Sequence, residues 1–109
     1  MNRDARIGMN EAVFRSVNER IQEVAQAFQL TAEPLDLICE CGDAQCVERI
    51  TLSRGEYESL RADPHYFAVA PGHESPDVEE VVEKRNGYDV VRKYVGTPEK
   101  IARETDPRS

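Results

Sequence analysis

The three cysteines of this 109-residue chain all lie within one eight-residue segment, 39–46. One residue separates Cys39 from Cys41, and four residues separate Cys41 from Cys46. Core packing gives no reason to group thiols so closely, whereas a soft divalent metal ion is bound by several thiolates at once. The spacing therefore predicts a zinc knuckle that supplies three of the ligands of one Zn²⁺ ion.

A fourth ligand must come from outside this segment, because zinc normally takes four. The chain has two histidines, His65 and His73. We favour His73, because it follows a Pro-Gly turn that can present its ring to an ion. A neutral imidazole also suits a site that three thiolates already make anionic. The predicted ligands are Cys39, Cys41, Cys46 and His73, and the alternatives for the fourth position are His65, Glu40, Asp43, Glu48 or a water molecule.

Two other interpretations of the cysteines stay open. The thiols could be reduced and metal-free, with a Cys39–Cys46 disulfide forming under oxidation. An iron–sulfur site would require a fourth cysteine. The cluster also lacks the second paired motif that makes a zinc finger unmistakable.

An apolar stripe at alternating steps of three and four predicts an amphipathic helix over residues 11–29, capped by Asn10. We expect the stripe to cover the domain's own sheet, because a small sheet needs one covering helix. The same spacing also fits the seam of a helix–helix homodimer. The stripe consists of Phe14, Val17, Ile21, Val24 and Phe28, with Val13 and Ala25 beside it.

Strands are predicted on both sides of the knuckle, over residues 35–40 and 47–52. Gly42 is expected to permit the sharp turn between them. The Ser53–Glu56 capping box then starts a short helix over 54–62.

The dipeptide Asn86-Gly87 between two β-branched runs predicts a β-hairpin over residues 80–94. Its two-residue turn would place Lys84 opposite Asp89, Val82 opposite Val91 and Glu80 opposite Lys93. A short helix capped at Thr97 follows. Residues 1–9 and 105–109 are expected to be flexible.

These elements predict a single α+β domain over residues 1–109: an N-terminal helix on a small antiparallel sheet, with a zinc knuckle and a C-terminal hairpin. The chain is 39% hydrophobic and 32% charged, as in soluble globular proteins. No apolar run reaches membrane-spanning length, and no apolar h-region follows residues 1–6, so we expect no secretory signal. We expect a cytoplasmic protein without membrane contact, in a compartment where thiols stay reduced.

The charge is unevenly distributed. The chain has a net charge of −7, while residues 33–83 alone carry thirteen acidic and three basic side chains, a net of −10. Such a surface repels phosphate, so no nucleic-acid partner is expected.

Several motifs together resemble a family of small, uncharacterised bacterial proteins of actinobacterial type. They are Cys-Glu-Cys-Gly-Asp-x-x-Cys, Arg-Ala-Asp-Pro, Pro-Gly-His-Glu and a final Glu-Thr-Asp-Pro-Arg, and the resemblance extends over residues 10–109. The family's cysteines match Cys39, Cys41 and Cys46, and its histidine matches His73, so the resemblance implies the same four ligands. It implies no activity.

No catalytic motif was found. His73-Glu74 begins like the zinc-protease motif His-Glu-x-x-His, but Asp77 stands where the second histidine belongs. We therefore expect no enzyme, but a zinc-stabilised protein-interaction or regulatory module, monomeric or homodimeric through the 11–29 helix. The alternatives are a thiol-based redox or metal sensor and, less favoured, a zinc hydrolase.

Overall fold

The computed structural model describes residues 2–27 and 34–108. Its strands form two antiparallel sheets, one of order β1-β2 and one of order β3-β5-β4. This arrangement confirms the α+β class, with a long N-terminal helix and a C-terminal hairpin. No helix within the described residues is both long and apolar enough to cross a membrane. The elements are α1 (Arg3–Ala27), β1 (Leu35–Ile38), β2 (Arg49–Leu52), α2 (Arg54–Arg61), β3 (Tyr66–Val69), β4 (Glu79–Lys84), β5 (Asp89–Lys93) and α3 (Thr97–Glu104).

The first helix begins eight residues earlier than predicted. Asn2 caps it, since the Asn2 Oδ1 accepts a hydrogen bond from the Ala5 amide at 2.7 Å. Asn10, predicted as the cap, lies inside the helix, and its Nδ2 donates to the Gly42 carbonyl at 2.9 Å. Residues 3–9, expected to be flexible, form the first turns of α1. The predicted end at residue 29 lies outside the described residues.

α1 packs on the rest of the domain through a polar face, which corrects the prediction for its apolar stripe. Val17 and Val24 are 41% and 46% exposed, and Phe14 and Ile21 are only half-buried. Of the predicted stripe, Ala25 is buried in the core and Ile21 packs against it. The valines stay at the surface because ion pairs and hydrogen bonds hold the opposite face of the helix inward. Phe28 lies outside the described residues. The buried side chains of α1 that carry polar groups are Glu11, Arg15, Asn18, Glu19 and Gln22.

The segment around the knuckle forms largely as predicted. β1 and β2 pair antiparallel, with Leu37 opposite Ile50, and both side chains are buried. β2 ends at Leu52, and the capping box of α2 is present: the Ser53 Oγ accepts from the Glu56 amide at 3.0 Å.

The C-terminal hairpin is confirmed, but its register differs beyond a β-bulge. Lys84 pairs with Asp89 as predicted, whereas Val91 pairs with Val81 and Lys93 pairs with Glu79. The predicted partners, Val82 and Glu80, are displaced by one residue because the extra residue lies between Val81 and Glu83. This shift carries Glu79 into the interior, where its Oε1 accepts from the Lys93 Nζ at 2.8 Å.

β3 was not predicted as a strand. It pairs with β5, with Phe67 opposite Val91, and both residues are buried. Three buried residues in a row, from Phe67 to Val69, remove the alternation that identifies a half-exposed strand.

The C-terminal segment is held against α1 and α2. Gly96, with φ of 112°, is the cap of α3, instead of the predicted Thr97. The flexibility expected for residues 105–109 stays a prediction, although side chains of this segment contact both helices. Asp106 is ion-paired with Arg61, and Arg108 contacts Glu19 at 2.8 Å.

Candidate metal centre

Two segments bring the four predicted ligands together. Cys39 and Cys41 lie directly after β1, Cys46 lies three residues before β2, and His73 lies in the turn that follows β3. One ligand atom from each residue lies within 4.8 Å of every other. Cys39 and Cys41 are buried, while Cys46 and His73 are half-buried. These four residues are therefore close enough to hold one metal ion at the surface of the domain.

The spacing of the donor atoms fits a tetrahedral ion. The Nδ1 of His73 is 3.7 Å from the Cys39 Sγ and 3.6 Å from the Cys46 Sγ. Around an ion with bonds of zinc length, a tetrahedral sulfur and nitrogen are about 3.6 Å apart. The donor set of three sulfurs and one imidazole nitrogen thus has the size of a zinc coordination sphere, and Nδ1 is the nitrogen that faces the thiols.

The thiols differ in their affinity for protons. A hydrogen bond with Cys39 lowers the pKa of Cys41 to about 5, and the same hydrogen bond raises the pKa of Cys39. Burial raises the pKa of Cys46. Cys41 therefore loses its proton more readily than an ordinary cysteine, which would favour a cation at this site. Binding of a metal ion would displace the remaining protons of the cluster.

Backbone contacts fix the first cysteine of the knuckle. The Ala70 amide donates a hydrogen bond to the Cys39 Sγ at 3.1 Å. The Cys39 amide itself donates to the Glu48 carbonyl at 3.0 Å, which closes the loop. No sequence pattern indicated the contact with Ala70, because it joins residues that are distant in the chain.

Glu40, between two of the cysteines, is an internal anchor. Its side chain is completely buried. Its carboxylate accepts from the Ala68 amide at 3.0 Å and from the Asn18 Nδ2 at 2.8 Å. Burial raises the pKa of this carboxyl group. Glu40 therefore holds the knuckle onto β3 and α1, and it is not a member of the metal-binding cluster.

α1 contacts the strand that leads into the knuckle. The Asn18 side chain accepts from the Ile38 amide and donates to the Ile38 carbonyl, both at 2.9 Å. One amide side chain thus fixes the last residue of β1, directly before Cys39. Asn18 lies outside the predicted apolar stripe, so the helical periodicity did not indicate this role.

The other proposed ligands have different partners. The Asp43 Oδ1 accepts from the Gln45 amide at 2.9 Å and so stabilises the turn of the loop. The His65 Nδ1 lies 3.0 Å from the Asp63 carboxylate. Neither Asp43, His65 nor Glu48 belongs to the cluster of ligand atoms.

Gly42 is required for a reason other than the predicted one. It is not among the glycines with positive φ in the described chain. Instead, a Cβ at this position would lie 2.4 Å from the Ile7 Cγ2. The close approach of the loop to α1 therefore requires glycine, and the turn itself does not.

Comparisons with protein-family models, with curated proteins and with solved structures gave no match. The site must therefore be interpreted from its own geometry.

Proposed function

We propose that this chain is a small zinc-stabilised domain that acts in the cytoplasm as a protein-interaction or regulatory module. The observation that carries the metal part is the cluster of Cys39, Cys41, Cys46 and His73, whose ligand atoms lie within 4.8 Å of one another. Zinc is the ion proposed because thiolates and imidazole in a tetrahedral arrangement are its preferred structural ligands. A reducing cytoplasm keeps such thiols available to the metal.

Four protein ligands favour a structural ion over a catalytic one. A catalytic zinc keeps one position for water, whereas this set fills a tetrahedral ion. A groove of about 680 Å³ lies between α2 and the β4–β5 hairpin, and its lining residues, including Glu56 and Tyr88, belong to other parts of the chain. A smaller cavity of about 380 Å³ reaches the knuckle at Gly42, Asp43 and Ala44, but none of the four ligand residues lines it. Because the four ligands would leave no open position on the ion, we propose no catalytic activity.

The interaction role is supported by the surface of α1. Met9, Val13, Val17 and Val24 are each at least 40% exposed along one side of this helix. Contiguous exposed apolar surface on a soluble domain commonly marks an interaction site. The zinc-bound knuckle would hold the other side of α1 in place through Gly42 and Asn18.

Metal analysis tests this proposal. Protein purified without added metal should contain one zinc per chain by elemental analysis. Chelation should lower its melting temperature by more than about 10 °C, since in a domain of this size 1 kcal/mol corresponds to about 4–8 °C. The Cys41→Ser variant should lose the metal, while Ser59→Ala, on the surface of α2, should keep it. A metal-free protein that remains fully folded would contradict the proposal.

A thiol-based redox sensor is the second candidate, and the partial exposure of Cys46 favours it. A peroxide could oxidise two of the thiolates to a disulfide, being itself reduced to water after taking up two protons, and the ion would be released. Loss of the ion would free the loop that contacts α1.

The two candidates differ in their response to mild peroxide. A sensor should release its zinc reversibly, with a thiol reductant and added Zn²⁺ restoring the original state. A purely structural module should keep its metal under the same treatment. Zinc release can be followed with a chromogenic chelator, with Cys46→Ser as the variant that removes the exposed thiol.

A further inference from the structure

We propose that the exposed apolar stripe of α1 is a homodimer interface, in which α1 pairs antiparallel with α1 of a second copy about Val17. The stripe is defined here as Met9, Val13, Val17 and Val24, with Phe14 and Ile21 along one edge. The inference deepens the proposed interaction module by naming its partner, and it rests on that proposal for its biological meaning only.

The rotation of α1 is fixed by contacts on its opposite side. The Arg15 guanidinium donates to the Pro64 and Ala102 carbonyls, each at 2.7 Å. Glu19 is ion-paired with the buried Arg61. Turning the stripe toward the domain would break these pairs and leave charged groups buried without partners, which is strongly unfavourable. The stripe is therefore held at the surface.

The stripe consists of apolar side chains, and the exposed Arg20 and Glu23 lie beside them on the same face of α1. Met9, Val13, Val17 and Val24 are 40%, 57%, 41% and 46% exposed. The residues follow one another at helical spacing over sixteen positions, a length of about 24 Å. Alternating steps of three and four with β-branched and aromatic side chains are typical of helix-on-helix packing.

The distribution of charge favours a second copy at this surface. Residues 1–32 carry four basic and four acidic side chains, whereas residues 33–83 have a net charge of −10. Residues 84–109 carry seven basic and four acidic side chains, a net charge of +3. In a two-fold dimer each surface faces its own copy, so the acidic and the basic segments would each repel themselves, whereas two α1 helices can approach without net repulsion.

The position of Arg20 favours the antiparallel arrangement. Arg20 lies within the stripe and is 3.6 Å from Glu23 of its own helix. In a parallel pair, the two copies of Arg20 would face each other. In an antiparallel pair about Val17, each Arg20 faces Phe14 of the other copy. The two guanidinium groups are then about 9 Å apart along the helix axes. The arginine can then lie over an aromatic ring.

The size of the stripe predicts a moderate affinity. A single helix pair of this length lies near the lower end of specific interfaces, so we expect a Kd on the order of 10 μM. Sedimentation velocity over a concentration series of the metal-loaded protein should show a monomer–dimer equilibrium. A wild-type chain that is monomeric throughout the series overturns the proposal.

Substitution of Val17 is the direct test. Val17→Glu should weaken dimerisation at least about tenfold, because it places two carboxylates on the two-fold axis. The matched control is Val47→Glu, at a position that is 86% exposed and lies outside α1. The control should change the Kd less than about twofold. Equal weakening by both variants overturns the assignment to α1.

Mixing oppositely charged variants tests the arrangement. Val17→Glu and Val17→Lys should each be largely monomeric, and an equimolar mixture should restore the dimer, because the two charges meet at the axis. The corresponding mixture at Val24 should not restore it, because two antiparallel copies hold Val24 about 21 Å apart. Restoration by the Val24 mixture would overturn the antiparallel pairing.

The same samples separate this inference from the proposed function. Zinc content and melting temperature are measured on each variant, and Val17→Glu should retain both. A monomeric wild type that still binds zinc would overturn the dimer alone. A dimer that is purified without zinc and is still fully folded would overturn the metal proposal alone.

Discussion

Gly42 in the knuckle lies directly against Ile7 of α1: a Cβ on Gly42 would be 2.4 Å from the Ile7 Cγ2 and 3.2 Å from the Ile7 Cβ. Beside this contact, the Asn10 Nδ2 donates to the Gly42 carbonyl at 2.9 Å. The candidate metal loop and the first turns of α1 therefore share one packed contact. A change in the loop must be transmitted to the helix.

Gly42→Ala should lower the free energy of unfolding by about 1–3 kcal/mol, because the added methyl group forces the loop and α1 apart. The comparison is urea unfolding of the zinc-loaded proteins. Gly55→Ala is the control, because the nearest atom to a Cβ there is the Ser53 Oγ at 4.0 Å. Alanine inside α2 should be neutral or stabilising by up to about 1 kcal/mol. A Gly42→Ala protein as stable as the wild type would show that the contact is loose.

The sequence predicted the elements whose determinants are local. The capping box at Ser53, the strands beside the knuckle and the turn at Asn86-Gly87 depend on residues within a few positions of one another, and the structure has all three. The four residues of the metal cluster could also be named, because clustered thiols have a distinctive chemistry and the histidines are few. That they bind a metal stays a prediction.

Periodicity could not predict which face of α1 is buried, because partners that are distant in sequence determine it. Burying Arg15 and Glu19 is favourable only because the carbonyl of Pro64 and the guanidinium of Arg61 are there to receive them. A hydrophobic stripe carries no information about such partners. The predicted register of the hairpin was wrong for a similar reason. The β-bulge brings Glu79 to its interior partner Lys93, and this pairing is not visible in the local sequence.

The buried ion cluster at Lys93 should make stability depend on pH. Two carboxyl groups, Glu11 and Glu79, share this single ammonium group, and none of the three side chains is more than 1% exposed. Burial, together with the neighbouring Glu79, raises the pKa of Glu11 to about 9. The folded protein therefore retains a proton that the unfolded chain releases near pH 4.5. The contribution of Glu11 to stability is complete below that pH and falls as the pH rises toward 9.

Glu11→Gln removes this titration and should flatten the pH profile. The variant should gain stability relative to the wild type as the pH rises from 5 to 9, by at most about 1.4 kcal/mol per pH unit. Urea unfolding at several pH values measures the difference. Glu80→Gln, the exposed neighbour of Glu79, should keep the wild-type profile. A Glu11→Gln protein that loses stability equally at every pH would indicate an ionised Glu11.

Arg61 should be far more important for stability than an arginine in a surface pair. Its fully buried side chain is paired with Glu19 and Asp106, so Arg61→Ala leaves buried carboxylates less compensated and should cost about 3–5 kcal/mol. Arg49→Ala breaks the 3.0 Å pair with Asp36, in which the side chains are 57% and 69% exposed, and should cost less than about 1 kcal/mol. Thermal unfolding of both variants gives the comparison, and similar costs would contradict the buried-network interpretation.

The last prediction is that His73, and not His65, completes the metal site. Cobalt substituted for zinc should give the intense visible bands of a tetrahedral, sulfur-rich site, because three thiolates and the His73 Nδ1 surround the ion. His73→Ala should shift and weaken these bands, since water or a distorted geometry replaces the imidazole. His65→Ala should leave them unchanged, because its Nδ1 lies 3.0 Å from the Asp63 carboxylate and outside the cluster. Bands that titrate near neutral pH or respond to added anions would indicate a bound water and would revive the hydrolase alternative.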